Sequence, residues 1–312
     1  MAGSAPGAAA TLPDAAAVTR CQLCASEQRR TRFRDDPFTV VECERCGLVW
    51  VTPRLSGEAL ARVYGEGYWK SDDPKNRGYA DYQREASLYL KTFRRRLRFV
   101  RRWVPPGARV LDVGCAAGYF LQVMLDAGHP VLGIEPSAAI ARAAQQQLGS
   151  ERVHIGQLEG APPALGFRDG SFDLVTLWDV IEHIPDPQAT LRRAAALLAP
   201  GGRLLLETQN VASRWARLLG RRWHHYKHAE HLYHFTPATI TRLLGDCGFT
   251  VRHCSPAYAG KYVSLGFIAE RAGRLGRIAG ALASPLRLLA GCHLYVNPRD
   301  EMIVVAEPVR AC

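Results

Sequence analysis

The stretch VLDVGCAAGYF, residues 110–120, decides how the rest of the chain is read. Four apolar-patterned residues read as a strand, a turn bearing Gly114 and Gly118 follows, and Tyr119 and Phe120 open a helix. Glycine at both turn positions lets the backbone run close to a ligand where a Cβ would collide. The G-x-x-x-G spacing differs from the G-x-G-x-x-G that cradles a pyrophosphate, so the turn suits a ligand without phosphates. Asp112 stands inside an otherwise apolar strand, where an unpaired carboxylate is costly; ordering the loop or answering a positive ligand group would offset that.

Outward from this loop, strands and helices alternate. PVLGIE, SAAIARAAQQQL, RVHIG, FDLVTLW, QATLRRAAALLA and GRLLLET follow in order, and FTVRHC and EMIVVAEP read as late strands. Such alternation predicts an α/β fold with a mostly parallel sheet and helices on both faces. Glu135 ends the second strand, where a carboxylate can accept both hydroxyls of a ribose.

The runs LDVGCAAG, GIEPS, FDLVTLWDVIEHIPDP and LLAPGGRLLLET together resemble the successive motifs of class I S-adenosylmethionine-dependent methyltransferases. The resemblance covers roughly residues 110–207 and departs at Ala116, where the family commonly has glycine. It implies a Rossmann-like, seven-stranded sheet with S-adenosylmethionine as cofactor. It further implies that Asp112, Gly114, Cys115, Ala116, Gly118, Tyr119 and Phe120 surround the methionyl part. Glu135 and Pro136 would lie at the ribose, Gln157 and Leu158 would flank adenine, and Trp178 and Asp179 would border cofactor and acceptor.

Upstream, Cys21, Cys24, Cys43 and Cys46 form two C-x2-C knuckles, the spacing with which four thiolates surround a structural zinc ion. Redox-active thiols are the competing reading, but they need one pair beside a thioredoxin-like βαβ pattern, which is absent. The short runs RTRFR and FTVVEC between the knuckles suit a ribbon. The other cysteines are scattered and the total of nine is odd, which argues against a disulfide framework. The organisation expected is a disordered leader at 1–20, a zinc ribbon at 21–52, a linker and helical cap at 53–105, and the methyltransferase domain at 106–312. Within that domain a substrate-capping segment is expected at about 208–240 and a helical insertion at about 268–292. The cap helix should run from about Tyr79 to Trp103, and ribbon and main domain should have separate cores.

The first 20 residues lack a basic stretch and a long apolar run, so they do not read as a signal peptide, and a cytoplasmic location is expected. Much of the formal charge of +11 lies in KTFRRRLRFVRRW, residues 91–103, where Phe93, Leu97 and Val100, with Val104 just beyond, recur at helical spacing. The arginines then occupy a solvated face or an anion-binding one. The tail at 269–296 is basic and amphipathic, suited to covering the sheet, pairing with a second copy or resting peripherally on an anionic membrane.

A sulfonium is an activated methyl donor, so the protein must align an acceptor and, for a hydroxyl, remove its proton. His183 follows the fourth strand; His224, His225, His228, His231 and His234 cluster in HHYKHAEHLYHF. A catalytic metal is disfavoured there because the successive i, i+3 steps drift around a helix and no carboxylate or cysteine cluster joins them. Glu230-His231 before an aromatic resembles the Glu-His motif of zinc-ribbon sugar methyltransferases, which implies His231 as base, Glu230 as its orienting partner and His183 nearby. Those relatives carry a further C-terminal domain that this sequence lacks. The acceptor expected is a small molecule, a sugar or glycoconjugate hydroxyl, anionic if nucleotide-linked, with a quinol or lipid-linked acceptor as an alternative. An RNA base is the other alternative, suggested by the charge and the four-cysteine module. Nucleic acid is disfavoured because Trp178-Asp179-Val180-Ile181 ends the fourth strand, with no Asn/Asp-Pro-Pro-aromatic run, and no Pro-Cys nucleophile occurs.

Overall fold

The structure is a computed structural model that describes residues 14–71, 78 and 81–309. Its centre is a seven-stranded sheet. The strands are β4 (Val110–Val113), β5 (Val131–Glu135), β6 (Val153–Ile155), β7 (Phe172–Trp178), β8 (Leu198–Gln209), β10 (Phe249–Ser255) and β13 (Glu301–Pro308). They lie in the order β10-β13-β8-β7-β4-β5-β6, with β13 antiparallel to both neighbours and β4 to β8 parallel. The strand order reverses outward from β4, and that crevice at the carboxyl ends is where open α/β sheets bind ligands.

The apolar runs form strands because both faces are covered. Along β13, Met302, Val304 and Ala306 enter one core while Ile303 and Val305 enter the other, the two-residue alternation of a pleated strand. One face is covered by α5 (Pro187–Leu197) and α6 (Pro237–Asp246), through Leu191, Ala194, Leu197, Ile240, Leu243 and Leu244. The other receives α2 (Ala86–Val100) and α3 (Tyr119–Asp126), through Phe93, Phe99, Val100, Phe120 and Met124, with α4 (Ala138–Leu148) joining through Ile140; α1 (Gly57–Val63) precedes them in the chain.

The ribbon pairs β1 (Arg29–Asp35), β2 (Phe38–Cys43) and β3 (Val49–Thr52) antiparallel, and its fourth strand comes from far away. Tyr233 and His234, as β9, pair with Trp50 and Val49. Arg54 donates to the Tyr233 hydroxyl at 2.9 Å and stacks on its ring. Trp50, Val41 and Leu48 share one contiguous core with Leu206 and Ile240 of the main domain. The separate cores expected from the sequence do not exist: a ribbon of three short strands buries too little apolar surface alone, so it borrows the domain's.

Three further expectations are corrected. Residues 14–20 of the expected leader are ordered: Ala15 and Ala16 pair with Leu55 and Arg54, and the Trp50 indole donates to the Val18 carbonyl at 3.3 Å. Residues 1–13 lie outside the described residues. The cap helix is shorter than expected, Ala86–Val100, and Tyr79 lies outside the described residues. Its amphipathic reading is also revised, because Arg96 is 3% exposed and points inward with Phe93 and Val100. The segment at 265–283 forms α7 (Leu265–Leu275) and α8 (Arg277–Ala283), flanked by the hairpin strands β11 (Lys261–Ser264) and β12 (His293–Val296). No helix among the described residues is long and apolar enough to cross a membrane.

Candidate active site

At the carboxyl ends of β4, β5 and β7 the chain turns sharply. Gly114 has φ +72° and Gly118 φ +78°, conformations disfavoured for a residue with a Cβ. A Cβ at Gly114 would lie 2.6 Å from Val180, and one at Gly118 2.7 Å from Leu148. The glycines are therefore required by the protein's own packing. Ala116 also sits at positive φ, +48°, a strain of about 1–2 kcal/mol for a residue with a Cβ.

This strained turn is pinned by Glu135. Its carboxylate accepts the backbone N–H of Ala116 at 3.0 Å and of Ser137 at 2.9 Å. Burial pushes the Glu135 carboxyl up to about 7, against the pull of those two donors. Asp112 faces into the sheet, where the Thr176 hydroxyl donates to it at 2.6 Å, and burial lifts it to about 8.

A cavity of about 1900 Å³ opens from this turn. That exceeds the roughly 300–1,000 Å³ of a typical small-molecule site, enough for a cofactor and an acceptor together. Asp112, Gly114, Cys115, Ala116, Tyr119, Phe120, Glu135, Pro136, Gln157, Leu158, Trp178 and Asp179 all line it, and so do His183, Glu230 and His231. Gly118 does not line it and packs on Leu148 and Ala144. The segment before α2 roofs the cofactor-loop end, with the Trp69 indole donating to Ser137 at 3.0 Å and Ser137 donating to the Tyr64 carbonyl at 2.8 Å.

At the opposite end His183 and His231 meet at right angles, ring centroids 4.7 Å apart. His183 Nδ1 pairs with the Tyr64 hydroxyl at 2.8 Å. His231 Nδ1 donates to the carbonyl of His225 at 2.7 Å, which leaves Nε2 as the proton acceptor. Burial lowers His183, and burial with His183 alongside lowers His231 well below the ordinary histidine value, so both rings are neutral at pH 7. The orienting partner expected for His231 is corrected here. Glu230 instead accepts the Tyr68 hydroxyl at 2.6 Å and the Gly78 N–H at 2.9 Å, and so fastens the roof, while a backbone carbonyl fixes His231.

Sequence reasoning missed the ionic centre of the cavity. Arg96 forms a bidentate pair with Glu207, 2.6 Å for one of its two contacts, and its guanidinium lies 5.0 Å from the Trp178 ring. Burial pushes Glu207 up to about 7, opposed by Arg96. Lys261 bridges Asp179 at 2.8 Å and Glu301 at 2.7 Å. Arg96 lay hidden in a run of arginines; its signal was its place in register with Phe93 and Val100, on the apolar side.

The family described as "Methyltransferase domain" matches residues 82–254, more than half of the chain, and the chain belongs to it. It is an S-adenosylmethionine-dependent methyltransferase of the class I fold. It is 34% identical over 173 residues to the ubiquinone biosynthesis O-methyltransferase of Xanthomonas axonopodis pv. citri, covering 51% of this chain and 70% of that protein. Against the protein of the same name from Xanthomonas campestris pv. campestris the identity is 37% over 134 residues, and the chain spans only 56% of that relative's length against 39% of its own. Among solved structures, a chain from the Haloferax volcanii complex of the Trm112 methyltransferase activator with a methyltransferase superposes with a TM-score of 0.50 at 16% identity. That match covers 73% of this chain and 95% of the other and shows the fold alone.

Arg96→Ala removes one partner of a fully buried ion pair and leaves Glu207 uncompensated, which should cost about 3–5 kcal/mol in denaturant unfolding. Pairing it with Glu207→Leu should recover part of that loss. A single variant of near wild-type stability would show that the pair does not hold α2 to the sheet.

Proposed function

We propose that the chain transfers the methyl group of S-adenosylmethionine to a hydroxyl of a small polar acceptor, a sugar or glycoconjugate. The observation that carries this reading is a neutral imidazole, His231, that lines the cavity with Nδ1 committed to the His225 carbonyl and Nε2 left as the acceptor. Charged groups among the lining residues, Asp179, Lys261 and Glu301, can hydrogen-bond several hydroxyls of an acceptor. In this reading Glu135 accepts the ribose hydroxyls and the turn from Gly114 to Gly118, with Tyr119 and Phe120, encloses the methionyl end. Pro136, Gln157 and Leu158 then flank the adenosine. His231 takes the acceptor proton, the freed oxygen pair attacks the methyl carbon, and the C–S bond pair returns to sulfur. His183 shares the rim and is the alternative base. A second reading, a quinol hydroxyl, is favoured by the names of the two Xanthomonas relatives and uses the same base.

The ribbon is proposed to hold one structural zinc ion. Sulfur atoms of Cys21 and Cys46, and of Cys24 and Cys43, lie 3.5 Å apart, and all four lie within 4.8 Å of one another. A tetrahedral zinc with bonds of about 2.3 Å has sulfur–sulfur edges of about 3.8 Å, so the set fits with small adjustment.

Three outcomes follow. Ionised Glu135 is the form that accepts ribose hydroxyls, and burial holds it near pH 7. Cofactor affinity measured by calorimetry should therefore weaken below pH 7, toward about tenfold per pH unit. Glu135→Gln should bind more weakly with a flat profile; an unchanged pH slope in that variant removes Glu135 from the site. His231→Ala should lower methyl transfer to the true acceptor by roughly 10²–10⁴ with cofactor affinity nearly intact, and the reverse pattern, with His183→Ala alone abolishing turnover, moves the base to His183. Elemental analysis should find zinc that Cys43→Ser loses, and since the ribbon shares its core with the capping segment, stripping that zinc should lower turnover too. Protein purified under reducing conditions without metal in the ribbon would defeat this assignment.

A further inference from the structure

The carboxylate that the sequence did not place beside the histidine cluster arrives from the other end of the domain. Asp300 immediately precedes β13, and its Oδ2 lies 3.7 Å from His224 Nε2 and 3.7 Å from His225 Nε2. These three atoms all fall within 4.8 Å of one another. His224 and His225 are consecutive, yet a turn at this point brings both rings to the same side, centroids 4.1 Å apart. In a strand, neighbours would face opposite ways.

We propose that His224, His225 and Asp300 form a divalent transition-metal site at the acceptor end of the cavity, distinct from the four-cysteine cluster. Two imidazoles and one carboxylate are a ligand set for zinc or iron(II) with positions left open. Bonds of about 2.0–2.1 Å place ligand atoms about 3.4 Å apart in a tetrahedron, close to the spacing seen. His225 Nε2 is buried without a hydrogen-bond partner, an arrangement a bound cation satisfies. Asp300 is 1% exposed and its Oδ2 accepts the Trp223 indole N–H at 2.9 Å, the kind of outer support that fixes a ligating carboxylate. All three side chains line the cavity. Of the charged groups alongside, Glu301 lies 3.6 Å from His225 Nε2, Lys261 is engaged by Asp179 and Glu301, and Arg96 by Glu207.

The site would present its open positions to an acceptor oxygen and make that hydroxyl more acidic, while His231 takes the proton. His231 Nδ1 bonds the carbonyl of His225, so base and ligand are held by the same turn. This role rests on hydroxyl methylation, whereas the site itself does not.

The test is titration of the full-length, metal-stripped protein with cobalt(II), read by visible absorption, by bound stoichiometry and by tryptophan fluorescence. Wild type should take up one equivalent more than His224→Gln, whose side chain is 33% exposed and tolerates exchange, and than Asp300→Asn, which keeps an acceptor for Trp223. The additional equivalent should lack thiolate charge-transfer bands, quench Trp223 and bind at least about 100-fold more weakly in either variant. Equal uptake by wild type and both variants, or a spectrum of thiolate ligation alone, overturns the site. Uptake lost in the variants, from a protein that methylates no hydroxyl, upholds the site and removes the reading of its role.

Discussion

The contact between Arg96 and Glu207 organises the molecule. A guanidinium fork on α2 meets a carboxylate at the end of β8, both shielded from water, and Arg96 also donates to the Ala259 carbonyl at 3.3 Å. Through this pair the cap helix is fixed over the crevice, Trp178 is held beneath the guanidinium, and the neighbouring carboxylates Asp179 and Glu301 are left to Lys261. A cavity assembled from the cap, three strand ends and the tail of the domain keeps its shape because its charged groups are paired across those elements.

The same logic of shared supports applies at the other end. Glu230 is drawn toward the roof by Tyr68 and the Gly78 backbone, and Tyr64 reaches His183. The roof is thus tied at one end to the Ser137 turn and at the other to the histidines. Arg54 and β9 then join this region to the ribbon.

Much of the main sheet was legible because its signal is local: apolar runs of strand length punctuated by glycine turns, with Glu135 and Trp178 at strand ends by simple counting. What escaped depends on pairing between distant residues. A helix pattern does not say that Arg96 will find Glu207, 111 positions away. The sequence pairing of Glu230 with His231 suggested a side-chain contact, but Glu230 is taken by Tyr68 and Gly78, and a carbonyl six positions back became the histidine's partner. Asp300 and Glu301 were invisible as neighbours of the histidines because only the antiparallel return of β13 beside β8 brings them there. The glycines of the turn were located correctly, but the contact that excludes a side chain is Val180 or Leu148.

The borrowed fourth strand of the ribbon has a consequence for synthesis. Residues up to Thr52 emerge from the ribosome well before Tyr233 and His234, which complete their sheet and supply the apolar partners of Trp50. At about 5–20 residues per second the wait is on the order of 10–40 seconds. During that interval the ribbon strands have an unpaired edge and an uncovered apolar face, so a part made early is completed only late.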